Sequence, residues 1–212
     1  MTEGFAREYL QQAREILGRV DPVEVARFVE VIFEAWQRDA TVYVCGNGGS
    51  ASTAQHLACD LFKCTVVGDK RRLRVMSLND NTPLVSALIN DDGWDQVYLG
   101  QLTTWWRSGD VVLAISVHGG VGRDKAGAWS QNLLRAIEFA NQHDGQSLGL
   151  VGFDGGAMRE TCTVSLLLPA DTTPHVEGLH VVLHHLVTAA VRERIAAAVS
   201  TSPAAGGEEL QA

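Results

Sequence analysis

The chain has 212 residues, 46% of them hydrophobic and 20% charged, which suits one sizeable α/β domain with an added helical pair. A formal net charge of -8 argues against nucleic acid as a direct partner, since such domains carry a basic patch. No N-terminal run is long and apolar enough for a signal peptide or a membrane span, and the four cysteines lack zinc-finger spacing, so they read as reduced thiols of a cytoplasmic protein with no membrane partner.

Residues 3–19 and 22–37 are two predicted helices that make up an N-terminal unit, 1–38. Asp21 offers a cap and Pro22 a first helical position for the second. Val23, Val25, Phe28, Val29, Ile32, Phe33 and Trp36 give that helix a broader apolar stripe than a surface helix needs, so part of it is expected to face another subunit. From residue 39 the pattern alternates. Strand-like runs at Val42–Cys45, Leu73–Leu78, Val111–Ser116, Ser147–Val151 and Val164–Leu168 are separated by helix-like stretches at 50–62, 82–90, 94–106, 128–142 and 154–160. A last helix spans roughly 175–198. Apolar strands between helices imply a mainly parallel five-stranded sheet covered on both faces, an α/β doubly wound sandwich over 39–198. The Gly-, Ala-, Ser- and Glu-rich segment 199–212 reads as a disordered tail.

In open parallel sheets the ligand sits past the carboxyl ends of the strands. The first run ends at Gly46-Asn47-Gly48-Gly49-Ser50, a turn whose glycines bring backbone N–H groups close to an anion at a helix start. Taken alone, that turn also fits a plain strand-to-helix connection. On the helix that follows, His56 and Asp60 lie four apart and share a face, as a metal or acid–base pair or as a surface ion pair. The second run leads into Asn79-Asp80-Asn81, with Asn90 and Asp91 at the end of the next helix; Asp80 and Asn81 read as turn formers. The third ends at Ser116, followed by Val117, His118, Gly119, Gly120, Arg123 and Lys125, which can form an anion nest backed by positive charge. His180, His184 and His185 lie on an apolar helix, where a histidine is more often a core residue. Trp105, Trp106 and Trp129 read as packing residues, with Trp129 left open beside the third loop.

Several segments in order (GNGGSAS with His56 after it, ALINDDG at 87–93, GDVVLAIS at 109–116, GLVGFDGG at 149–156 and VEGLHVVLHH at 176–185) resemble the SIS (sugar isomerase) fold and, within it, the phosphoheptose isomerases. The resemblance runs from the N-terminal helices to about residue 195. It implies a homotetramer with the N-terminal helices at the interface, a phosphosugar in the cleft with Asn47, Gly48, Gly49, Ser50 and Glu177 near it and Asn90 and Asp91 on its hydroxyls, and a zinc or similar divalent ion. The metal positions it implies are His56, Asp60, Glu177 and His185, and the catalytic pair it implies is Asp60 and His185. It implies an aldose–ketose isomerase that works through an enediol, with sedoheptulose 7-phosphate as the expected substrate. Where such proteins have Glu and Gln, this chain has Asp60 and Glu177, and its third loop replaces Ser/Thr hydroxyls with Val117 and His118 and is longer. Other proteins of this resemblance are non-catalytic phosphosugar sensors or tetrameric adaptors. The survival of two imidazoles and two carboxylates at the metal positions favours the enzyme.

Overall fold

The computed structural model describes residues 1–120 and 129–201. In chain order its elements are α1 (Thr2–Leu17), α2 (Pro22–Gln37), β1 (Thr41–Gly46), α3 (Gly49–Cys64), β2 (Arg74–Ser77), α4 (Thr82–Asp91), a 3-10 turn (Trp94–Gln96), α5 (Leu99–Trp105), β3 (Val111–Ser116), α6 (Gln131–Gln142), β4 (Gln146–Val151), α7 (Gly156–Thr161), β5 (Val164–Leu167) and α8 (Thr173–Thr201). The five strands pair in parallel in the order β2-β1-β3-β4-β5. The order reverses at the β1–β3 boundary, where a doubly wound sheet opens its ligand crevice.

The central strands alternate between two cores. Val42, Val44, Val111, Leu113, Ile115, Leu148 and Leu150 face α2, α3 and α8. Tyr43, Cys45, Val112, Ala114 and Val151 face α6 and the α5 region. Both faces are dry, which explains why these strands read as unbroken apolar runs. Asp110 fastens one end of the sheet. Its buried carboxylate accepts from the N–H of Thr41 at 2.7 Å and of Arg107 at 2.8 Å.

Asp21 caps α2 as expected, accepting from the N–H of Val23 at 2.8 Å, and Asn81 caps α4 by accepting from Leu84 at 3.1 Å. Most of the wide stripe on α2 closes inward, with Phe28, Val29, Ile32 and Phe33 buried against α8 and the sheet, while Val23 of the same stripe stays exposed. Apolar exposure lies on α1, at Phe5 and Leu10, and at Val23. The stretch 94–106 is not one helix. It breaks where Val97 and Tyr98 turn into the core, and the Tyr98 hydroxyl donates to the Gly46 carbonyl. The last helix is longer than expected at both ends, reaching Thr201, so of the expected tail 199–201 are helical and 202–212 lie outside the described residues. All four cysteines are free thiols. Among the described residues no helix is long and apolar enough to cross a membrane.

Candidate functional site

The site grows from the turn between β1 and α3. Gly48 has φ +56°, a conformation that side-chain-bearing residues avoid, and the turn closes with Ser50 donating to the Asn47 carbonyl and Ala51 to that of Gly48, both at 3.0 Å. A network that sequence reasoning missed holds this turn. Asn47 and Asn132 exchange amide hydrogen bonds of 3.0 and 2.8 Å, and the Tyr98 hydroxyl lies 3.1 Å from Asn47 Oδ1. Asn79 ties in by donating to the Gly46 carbonyl at 3.0 Å and accepting from the Gly46 N–H at 3.2 Å. Asn132 is fully buried at the start of α6, so it anchors the first loop to an element far along the chain. No local pattern marks such a contact.

Helix α3 presents His56 and Asp60 to α8. Asp60 Oδ2 lies 3.5 Å from His56 Nε2, 3.1 Å from His185 Nδ1 and 3.8 Å from His184 Nδ1. Each of the four residues offers a ligand atom, and all these atoms lie within 4.8 Å of one another. The rings cluster: His56 is 4.5 Å from His184 and 5.0 Å from His185, and those two are 4.1 Å apart. His56 and His185 are about half exposed, at 48% and 53%, whereas His184 is fully buried. Burial, followed by the neighbouring imidazoles of His185 and His56, pushes His184 down to about 4 against the pull of Asp60. Among the described residues neither of its ring nitrogens has a hydrogen-bond partner. A polar group buried in this way is unfavourable unless something fills its lone pair. Nitrogen and carboxylate donors of this number suit zinc or a similar divalent ion, so the residues present fit such a group.

Glu177 lies outside this ring. A side chain built on Gly49 would run into its carboxylate, which therefore sits over the first residue of α3. A negative group is favoured at that helix end. The next turn of α8 carries His180, 1% exposed, with neither ring nitrogen hydrogen-bonded among the described residues; burial takes it down to about 4, opposed by the nearby Val151 backbone.

The third loop uses its first glycines for packing. Gly119 donates to Ser116 Oγ at 3.0 Å and accepts from the N–H of Met158 at 2.8 Å. It is buried with φ +69° against the Gly155 carbonyl, and Gly156 in turn faces the backbone of His118 and Gly120. Loop 3 and the loop after β4 are thus pressed backbone to backbone. His118 stays exposed, its ring 4.2 Å from Phe153 and 6.1 Å from Trp129. Trp129 is 66% exposed and so is not a core residue, whereas Trp106 packs on Tyr43 and Phe139. Arg123 and Lys125 lie outside the described residues. Asn90 and Asp91 are exposed at the end of α4, where Asn90 donates to Asp91 at 2.7 Å; among the described residues no hydrogen bond links them to the other loops.

Val176 joins these pieces. It packs on Gly152, beside the carbonyl of Val117, and the residue after it reaches Gly49. The start of α8 therefore touches the loops that follow β1, β3 and β4, while its middle reaches the imidazoles and Asp60.

The SIS domain model matches residues 8–123. The lincomycin biosynthesis protein LmbN of Streptomyces lincolnensis is 36% identical over 188 residues, which is 87% of this chain and 67% of that protein. A phosphoheptose isomerase of Pelobacter propionicus is 34% identical over 176 residues, 82% of this chain and 86% of that one. Among solved structures, phosphoheptose isomerase GmhA from Neisseria gonorrhoeae superposes with a TM-score of 0.79 at 24% identity, covering 91% of this chain and all of that one, a likeness of fold.

Proposed function

The chain belongs to the SIS domain family, and from that membership we propose that it is a phosphosugar isomerase that interconverts an aldose and a ketose. Sedoheptulose 7-phosphate is the substrate this reading favours, because the relatives of 30 to 34% identity include many phosphoheptose isomerases. The observation that carries it is Asp60 Oδ2, on the helix that follows the glycine turn, facing three imidazoles.

The reaction moves a proton between neighbouring carbons through an enediol and needs a base for the C–H bond and an acid at the oxygens. In this reading Asp60 takes the proton and returns it to the adjacent carbon. His185, half exposed and in contact with the acid, moves a proton between the two substrate oxygens. His56, Asp60 and His185 would hold a divalent metal. When bound, the metal supplies a positive charge that polarises the carbonyl and favours loss of the neighbouring proton. The glycine turn, fixed by Asn132 and Tyr98, orients the sugar. The phosphate is assigned to the third loop, where exposed His118 is a donor and Arg123 and Lys125 would add charge. Phe5 and Leu10, exposed on α1, support the homotetramer built through the N-terminal helices. The free thiols are compatible with a cytoplasmic setting.

A panel of aldose and ketose phosphates, assayed with chelator and with added zinc, tests this. Turnover of sedoheptulose 7-phosphate is expected, and its loss on chelation supports the metal role. Binding of phosphosugars without any turnover would replace the enzyme by a sensor.

A further inference from the structure

We propose that His175 is a positioning residue for the substrate loops: through it α1 holds the start of α8, and with it the loops after β1, β3 and β4. The kinetic part of its test rests on the isomerase reading. His175 is the third residue of α8 and is 4% exposed. Its Nε2 lies 3.1 Å from the Tyr9 carbonyl on α1, and its Nδ1 lies 2.8 Å from the Thr172 hydroxyl just before the helix. A carbonyl only accepts, so Nε2 carries the hydrogen, and in the neutral ring Nδ1 accepts from Thr172. The imidazole also stacks on the Tyr9 ring, with centroids 4.0 Å apart and planes inclined by 18°. The Thr172 carbonyl accepts from the N–H of Val176 at 3.0 Å. One buried ring thus fixes the first turn of α8 and ties it to a helix at the other end of the chain.

The same stretch is held at two further points. Arg19, just after α1, donates to the Pro169 carbonyl at 2.7 Å. The carbonyl of Ala170 accepts from the N–H of Phe153, in the loop after β4, at 2.8 Å. Residues 169–176 therefore bridge the N-terminal helices and the site. On the site side, Val176 packs on Gly152, and Gly152 donates to the Val117 carbonyl at 3.1 Å, so the loops after β3 and β4 are joined beside Val176. Glu177 reaches Gly49 in the first loop.

A shift of this first turn would reach all three loops at once. The proton-transfer pair is insulated from it. His185 lies about 15 Å further along the helix, and Asp60 of α3 holds it there at 3.1 Å. The bridge therefore governs how the substrate is held more than how the proton moves.

Variants of the full-length protein separate positioning from general stability. His175→Phe keeps the stacked ring and loses both hydrogen bonds, whereas His175→Gln keeps a donor as far along the side chain as Nε2. In His175→Phe the KM for the sugar phosphate should rise about fivefold or more with kcat within about twofold, and His175→Gln should recover part of the loss. A change confined to kcat, or no change, would overturn the proposal. Amide hydrogen exchange, read by mass spectrometry, needs no turnover. His175→Phe should speed exchange about tenfold or more at 47–50, 117–119 and 152–156 and leave β1, β3 and β4 as they are. Exchange that rises equally in the strands, or in none of these loops, would show a contact that serves stability alone. Should His175→Phe fail to fold, Arg19→Ala, which frees Pro169 by changing an exposed side chain, must still speed exchange at 152–156 for the proposal to stand. If the wild type turns over no sugar phosphate, the proposed function fails, and the exchange result by itself decides this inference.

Discussion

Asp60 Oδ2 lies 3.1 Å from His185 Nδ1, a contact that links the helix after the first strand to the last helix of the chain. The acid side chain is 15% exposed and the imidazole 53%, so the pair is shielded on one side and open on the other. A substrate can therefore reach His185 without unfolding anything. His185→Ala should lower turnover by about 10²- to 10⁴-fold, the usual worth of a proton-transfer group. Its thermal melting curve should stay close to that of the wild type, since half of the side chain is in solvent. Turnover near the wild-type value would remove His185 from the chemistry.

Asp60→Asn keeps the shape of the side chain and removes its charge. Three imidazoles would then face a neutral amide, and the attraction for a dication would drop. Bound zinc, measured by plasma emission after dialysis against a weak chelator, should fall by about tenfold or more. Zinc content equal to that of the wild type would mean that the carboxylate does not ligate.

The sheet was legible because β1, β3 and β4 are buried on both faces, and a strand with two dry faces can be recognised from its own residues. The meeting of His56, Asp60 and His185 was legible from resemblance and helical spacing. The place of His184 was not. Spacing along α8 tells which of its residues share a side, but which of them meets Asp60 depends on how α3 and α8 pack. The break at Val97 and Tyr98 was hidden for a similar reason: it exists because the Tyr98 hydroxyl reaches a carbonyl in the first loop. The inward turn of most of the α2 stripe follows from α2 covering the sheet and α8, a tertiary choice that two adjacent amphipathic helices leave open.

Gly119 tests the packing of the third loop. Its φ is +69°, and a methyl group there would overlap the Gly155 carbonyl, a backbone atom that cannot swing away. Gly119→Ala should cost at least about 2 kcal/mol, combining left-handed strain with the clash. Urea unfolding is the measurement. A loss under about 0.5 kcal/mol, the range of a neutral surface change, would show that the two loops are not pressed together.

His180 makes stability depend on acid. In the folded chain burial lowers its pKa to about 4, against an ordinary value of 6.5. Its folded value is the lower one, so the unfolded chain binds the proton first as pH falls. The contribution of the neutral, buried ring is complete above pH 6.5 and is lost progressively between there and about 4. His184 is shifted in the same direction and adds to the slope, so the comparison needs a variant in which only one ring is removed. His180→Leu fills a similar buried space with a group that does not titrate. Urea unfolding with chelator present, at pH 7.5 and again at pH 5, should show the wild type losing about 2 kcal/mol more than the variant between the two conditions. Equal losses would mean that His180 is not held neutral in the core, and its unpartnered nitrogens would then need a proton or a ligand of their own.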